Sequence, residues 1–209
     1  MFQTNDFKKI KNIYLTNLRN KNTSRSDFRQ NADLISRIIA QETLTIIETE
    51  TITIQTPIET TIGLQIKPKI MLIPILRSGM SMLEPFLYYF KNASIGVIGL
   101  KRDEKTAIAH LYYQNIPKIN KSEIVIILDP MIATGGTGLA TLKILMQLGA
   151  TEENIIFASI INSTEGINAI KAEFPKITIL QAGIDNKLNN NKFIVPGLGD
   201  FGDRYYGTE

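Results

Sequence analysis

Cysteine is absent from this 209-residue sequence, and histidine occurs once, as His110. Without cysteine there are no disulfides, thiolate metal sites or cysteine nucleophiles. A single histidine leaves at most one imidazole base and excludes a histidine-rich metal centre. No apolar run approaches the roughly 20 residues needed to cross a bilayer. Met1–Arg19 is polar and lacks a cleavable apolar core, so no membrane attachment and a cytoplasmic location are expected. Charge of either sign is modest: the net is +3, too little by itself to argue for nucleic acid as a partner. Its distribution is uneven. Lys8, Lys9, Lys11, Arg19, Lys21, Arg25 and Arg29 face only Asp6 and Asp27, so the first 29 residues carry +5 and the other 180 sum to −2. That arm, residues 1–26, reads most simply as a solvated charged face; a polyanion or nucleotide effector, or packing on another subunit, is the sharper alternative. What remains is ordinary: 44% hydrophobic and 21% charged residues fit one globular domain spanning 1–209, large enough to bury a real core.

One stretch organises the chain. Ile124-Val125-Ile126-Ile127-Leu128 is aliphatic without alternation, as in a strand covered on both faces of a parallel sheet, and it ends at Asp129. Beyond Pro130-Met131-Ile132-Ala133, Thr134 and Thr137 bracket Gly135-Gly136, and Leu139, Leu142, Leu145, Met146 and Leu148 recur at helical spacing. The first N–H groups of a helix lack intrahelical acceptors and carry the positive end of its dipole, so a strand, tight loop and helix suit a phosphate. Glycines allow close approach and threonine hydroxyls add donors. The loop has neither the lysine of the Walker pattern nor dinucleotide spacing, which removes support for a nucleoside triphosphatase or a nicotinamide enzyme. Asp129 is placed to accept hydrogen bonds from ribose hydroxyls. Taken alone, the same residues equally describe a tight turn capped by Asp129.

Other segments repeat the arrangement. Phe28, Ala32, Ile35 and Ile39 define a helix over Asp27–Thr45 capped by Ser24 or Ser26. Thr49–Thr56 and Thr60–Ile66 read as a hairpin beside the main sheet. Ile70–Leu76 is a second aliphatic strand that delivers Arg77-Ser78-Gly79 to a helix over residues 80–90, and Arg77, fed by a buried strand, calls for a phosphate or carboxylate partner. Ile95–Leu100 ends in Lys101-Arg102-Asp103-Glu104-Lys105 before a β-like run, Ala107–Tyr113; residues 101–113 are either an exposed hairpin tip or a flap that carries Arg102 onto an anion. His110 alternates with Ile108 and Tyr112 and reads as structural. Ile155–Ile161, Thr164–Ala172 and Ile177–Gln181 add strand, helix and strand. The fold class is therefore α/β, a mostly parallel open sheet with flanking helices and ligands at its carboxyl edge. Residues 183–209 break this pattern: Asn186–Lys192 reads as loop, and Phe193–Arg204 holds three glycines and a proline, too many for a helix or central strand. Such a segment is either frayed or a hood over a base.

Taken together, Pro74-Ile75-Leu76-Arg77-Ser78-Gly79, Arg102-Asp103-Glu104, Asp129 through Thr137 and Ile194 through Asp203 closely resemble the uracil phosphoribosyltransferase family, over about Leu15 to Thr208 and including Lys21-Asn22-Thr23-Ser24. The resemblance implies a phosphoribosyltransferase fold and formation of UMP and diphosphate from uracil and 5-phosphoribosyl 1-pyrophosphate (PRPP) in pyrimidine salvage, with Mg²⁺. It implies that Ala133–Thr137 hold the 5-phosphate, with Pro130, Met131 and Ile132 in the same PRPP-binding stretch, and that Asp129 binds the ribose hydroxyls. Arg77 and Arg102 would bind the pyrophosphate. Ile194, Gly199 and Phe201 would offer backbone groups to uracil, and Asp200 would face the pyrophosphate and its Mg²⁺ through water, with no direct protein ligand to the metal. Phe201 stands where most relatives have a small residue, and Pro130 stands where other branches carry a second acid. The family also implies a homodimer or homotetramer and, in some members, a response to GTP. A phosphoribosyltransferase for another base, an RNA-binding pyrimidine regulator using the basic arm, and a catalytically dead nucleotide sensor are the competing readings.

Overall fold

The computed structural model describes residues 4–102 and 109–208, and side chains over 7–101 and 110–208. Helices α1 (Thr4–Arg19) and α2 (Arg25–Ile46) lead into an antiparallel hairpin, β1 (Thr49–Gln55) and β2 (Thr60–Ile66), that forms its own two-stranded sheet. There follow β3 (Ile70–Leu76), α3 (Met80–Tyr89), β4 (Ser94–Ile95), β5 (Val97–Arg102), β6 (Ala109–Asn115), β7 (Ile124–Leu128), β8 (Met131–Ile132) and α4 (Gly136–Gln147). The chain ends with β9 (Ile155–Ser163), α5 (Thr164–Glu173), β10 (Thr178–Asp185), the short pair β11 (Lys187–Leu188) and β12 (Ile194–Val195), and α6 (Phe201–Tyr206). Among the described residues no helix is long and apolar enough to cross a membrane.

The main sheet runs β10-β9-β7-β3-β5-β6, parallel except for the edge strand β6. Both faces are covered, which explains the unbroken aliphatic runs. Leu72, Ile126, Leu128, Ile156 and Ala158 pack toward α1, α2 and α3 with Leu18, Phe28, Ile35 and Phe86. Met71, Ile73, Val125, Ile127 and Phe157 pack toward α4 and α5 with Leu142, Leu145 and Ile170. From β3 the chain moves outward to β5 and β6, then crosses back to β7 on the other side of β3. The crevice between β3 and β7 is therefore the point where strand order reverses, the place where open α/β sheets bind ligands. Register there is flush: Ile70 pairs with Ile124 and Pro74 with Leu128, so the residues after Leu76 and after Leu128 emerge side by side.

Three expectations change. The basic arm is mostly helix. Lys11, Leu15 and Leu18 are buried along one stripe of α1, and the Lys11 ammonium bonds the Glu42 carboxylate at 2.7 Å and the Gln181 carbonyl at 3.2 Å. A lysine in the buried stripe hid the helical period. The glycine-rich tail does contain a helix, α6, capped by the Asp200 side chain, which accepts from the Asp203 N–H. Asn186–Lys192 is not wholly loop, since Lys187–Leu188 pairs with Ile194–Val195. The loop carrying Asp103-Glu104-Lys105 lies outside the described residues.

Candidate active site

Two adjoining hollows lie at the carboxyl edge. One, about 260 Å³, is lined by Ser78 after β3, by Asp129, Pro130, Met131 and Ala133 after β7, and by Asn191–Ile194 and Gly199–Gly202 from the carboxyl-terminal segment. The other, about 80 Å³, is lined by Asp129 and Met131–Gly138. Asp129, Met131 and Ala133 belong to both, so a ligand with a phosphate in the smaller hollow would pass Asp129 on its way into the larger.

The smaller hollow follows from backbone geometry. Gly135 has φ +82°, a left-handed conformation that side chains disfavour, and a Cβ there would lie 2.8 Å from the Gly166 carbonyl. The turn lets α4 begin at Gly136 with its first N–H groups facing the loop. Behind it, the Ser163 hydroxyl bonds the Ala133 carbonyl and accepts the Gly166 N–H at 2.8 Å, while Asn162 Oδ1 accepts the Ile132 N–H at 3.2 Å. The loop is thus braced from β9 and α5. Asp129 keeps some exposure as a residue, yet its carboxyl group sits among packed atoms; burial pushes its pKa up to about 7, against the opposing hydrogen bond from the Met131 N–H.

The larger hollow depends on long-range ties. Gly197 turns with φ +60°, where a Cβ would collide with the Ile194 carbonyl at 2.1 Å. Arg19, the last residue of α1, forms a two-pronged pair with Asp185 at 2.7 Å on each oxygen and also donates to the Gly197 carbonyl at 2.9 Å. Asp185 in turn accepts the Gly197 N–H at 2.8 Å. Burial alone would raise the Asp185 pKa, but the Arg19 and Gly197 bonds outweigh it and hold the carboxyl below its ordinary range. Arg204 bonds the Leu18 carbonyl, the Leu198 carbonyl at 2.6 Å and the Asn20 carbonyl at 2.8 Å, with its guanidinium 4.3 Å from the centre of the Phe28 ring. The Phe201 ring is buried, against Phe28 at 5.2 Å and stacked on Tyr205 at 5.6 Å.

The structure brings together Asp129, Pro130, Met131, Ala133, Ile194, Gly199, Asp200 and Phe201 in the larger hollow, and Ile132, Thr134, Gly135, Gly136 and Thr137 in the smaller. Arg77 stands outside both linings. Its side chain is 59% exposed, 3.9 Å from the Asp203 carboxylate, 3.4 Å from the Thr208 hydroxyl and 5.5 Å from the centre of the Tyr206 ring. The expected carboxylate partner is present, though loosely, and water spares the guanidinium the desolvation that the strand's burial implied. Arg102 closes β5 opposite Ala109, and its side chain lies outside the described residues. Missed from sequence were the lining residues Ser78, Asn191, Lys192, Phe193 and Gly202 and the supports Arg19, Asp185 and Arg204. Asp185 carried a signal, since it follows an apolar strand just as Asp129 does.

A doubly wound parallel sheet with a phosphate-sized loop at its switch point and a separate wall facing it is the architecture of a phosphoribosyltransferase. The sequence matches the family model of uracil phosphoribosyltransferase over residues 8–208. It is 43% identical to the uracil phosphoribosyltransferase of Thermosipho melanesiensis, with 93% of each chain covered, and 40% identical to that of Campylobacter curvus, with 91% of each covered. The AQ2163 protein of Aquifex aeolicus superposes with a TM-score of 0.88 at 32% identity, over 100% of this chain and 97% of that one. The chain belongs to the uracil phosphoribosyltransferase family.

Proposed function

We propose that the protein joins uracil to PRPP, releasing UMP and diphosphate, as part of pyrimidine salvage in the cytoplasm. The observation that carries this is the meeting of the two hollows at Asp129: a loop shaped for phosphate on one side, a wall that could face a base on the other, and a carboxylate shared by both. In the reaction a bond forms between uracil N1 and the anomeric carbon, the carbon–oxygen bond to diphosphate breaks with its electron pair, and the N1 proton passes to a diphosphate oxygen or to water. The anomeric centre passes through an oxocarbenium-like state, so stabilising the leaving group matters more than a strong nucleophile. Thr134, Thr137 and the first N–H groups of α4 would fix the 5-phosphate, and Asp129 the ribose hydroxyls. Arg77 and Arg102 would take the departing diphosphate, Arg77 by leaving its loose contact with Asp203. The backbone at Ile194, Gly199 and Phe201 would read uracil's polar edge, a role the inward-turned Phe201 ring supports.

The carboxylates of Asp129 and Asp200 line the cavity and are hard oxygen donors of the kind Mg²⁺ takes, so the residues present fit a diphosphate-bound ion held near Asp200 through water. When bound, Mg²⁺ would supply charge neutralisation to the leaving diphosphate. The hairpin β1–β2 leaves Ile54, Ile58, Ile62 and Leu64 exposed, which supports assembly into a homodimer or homotetramer. GTP is the effector to add in the same assays. The test is UMP formation from uracil, PRPP and Mg²⁺, with cytosine, hypoxanthine and orotate alongside. Selective UMP formation supports the reading; turnover of another base instead, or PRPP binding without turnover, overturns it.

A further inference from the structure

Lys192 stands in the wall of the larger hollow with φ 63°, and among the described residues it alone combines a side chain with a positive φ. A β-carbon in that region crowds the neighbouring carbonyl, at a cost on the order of 1 kcal/mol or more that surrounding structure must offset. The offset is visible. Asn189 Oδ1 accepts the N–H groups of Asn191 at 3.0 Å and Phe193 at 2.9 Å, the Asn189 carbonyl accepts the Lys192 N–H at 2.9 Å, and the Asn189 N–H donates to the Phe193 carbonyl at 2.9 Å. The turn therefore holds the Lys192 backbone in one place, at a position where glycine would be the unstrained choice.

The charge at that place is distinctive. Among the described residues, the ionisable side chains lining the hollow are Asp129, Asp200 and Lys192, so Lys192 is the one cation among them. Residues 191–194 line this hollow and not the phosphate hollow, which shares only Asp129, Met131 and Ala133 with it. Lys192 is thus at the end away from the 5-phosphate, beside Phe193 and Ile194. Loss of the N1 proton gives uracil negative charge that spreads onto its ring carbonyl oxygens, and an ammonium reaching a carbonyl oxygen from this wall stabilises that charge as it develops. The same ammonium disfavours an amino group in the carbonyl's place.

We infer that Lys192 is a specificity-determining group that bonds a ring carbonyl of the base and favours the charge gained as the N1 proton leaves. This rests on the uracil reading of the site. The experiment is steady-state kinetics of the wild type, Lys192→Gly and Lys192→Arg with uracil and with 5-fluorouracil, whose fluorine makes the ring N–H more acidic, together with thermal melting. Lys192→Gly is expected to lower kcat/KM for uracil by about tenfold, the lower end of what a hydrogen bond from a charged group contributes. The loss with 5-fluorouracil should be smaller, because less help is needed with a more acidic ring. KM for PRPP should hold, and Tm should stay or rise, because glycine accepts this φ. Lys192→Arg should recover most of the uracil rate. Equal losses with both bases, a change confined to PRPP, or an unaltered uracil rate would each overturn the inference. If the wild type makes no UMP, the reading of the site fails and this one with it; if the wild type makes UMP and Lys192→Gly equals it, the role of Lys192 alone fails.

Discussion

The loop proposed to hold phosphate and the wall proposed to hold the base line adjoining hollows but are built in opposite ways. The loop runs through consecutive residues, Asp129 to Thr137, between one strand and the next helix, and its geometry depends on a left-handed glycine and a helix start. The wall is made from residues 191–202 and holds its shape through partners far away in sequence: Arg19 to Asp185 and Gly197, and Arg204 to Leu18 and Asn20. A locally encoded site fails where it is cut. One assembled from distant parts fails wherever any tie is cut, and its failure should show first in recognition of the base.

The comparison is sharpened most by Gly135→Val, which combines an unfavourable φ with a Cβ 2.8 Å from the Gly166 carbonyl. UMP formation should fall on the order of 10²–10³-fold, the scale for losing an oriented set of donors, with KM for PRPP rising and stability falling by about 1–3 kcal/mol from the strained turn. Next is Arg19→Met, which leaves Asp185 largely buried with only the Gly197 N–H for support. Breaking such a pair costs about 2–3 kcal/mol after allowing for the partial exposure of Arg19, read by urea unfolding, and KM for uracil should rise more than KM for PRPP. Equal effects on the two substrates would dissolve the distinction between loop and wall. The Asp185 carboxyl is held below its ordinary range, so its contribution is present above the unfolded pKa and is lost as pH falls through the folded value; the wild type's stability advantage over Arg19→Met should therefore shrink in acid.

Asp129 has the opposite sign. Its folded pKa of about 7 lies above the ordinary 3.8, so the folded state keeps a proton that the unfolded state has lost, and stability declines as pH rises between those values. The ionised form, the one proposed to accept ribose hydroxyls, fills over the same upper range. PRPP affinity should rise about tenfold from pH 6 to 8, Asp129→Asn should flatten that component, and at pH 8 the variant should melt a few degrees higher. The smallest effect is expected from His110→Gln: His110 is exposed on the edge strand β6, and rates should stay within about twofold, as at surface positions away from named features. A larger loss would bring the edge strand into the site.

What could be read in the sequence follows the same division. Ile70–Leu76, Ile124–Leu128 and Ile155–Ile161 announced themselves because strands buried on both faces leave no polar alternation to confuse with anything else. The phosphate loop was legible because its parts are adjacent. Helix α1 was not, since Lys11 interrupts its apolar stripe and is satisfied only by Glu42 and the Gln181 carbonyl. Helix α6 was hidden for a related reason: six residues with a glycine inside hold a helix here because Asp200 caps them and Arg29 bonds the Tyr205 carbonyl at 2.8 Å. No local pattern records such bonds. The base-edge residues Ile194, Gly199 and Phe201 came from the family resemblance, and the ring of Phe201 found its place only when Phe28 was seen beside it.

Because Arg19 and Arg204 both fasten the wall, base recognition has a date of birth as well as a location. In chain order the loop and its brace at Gly166 precede the wall, so synthesis completes the residues of the proposed phosphate site before those of the proposed base site. Discrimination among bases waits until Arg204 has emerged and reached back to Leu18. A chain stalled in between would have the loop without a wall to choose what it meets.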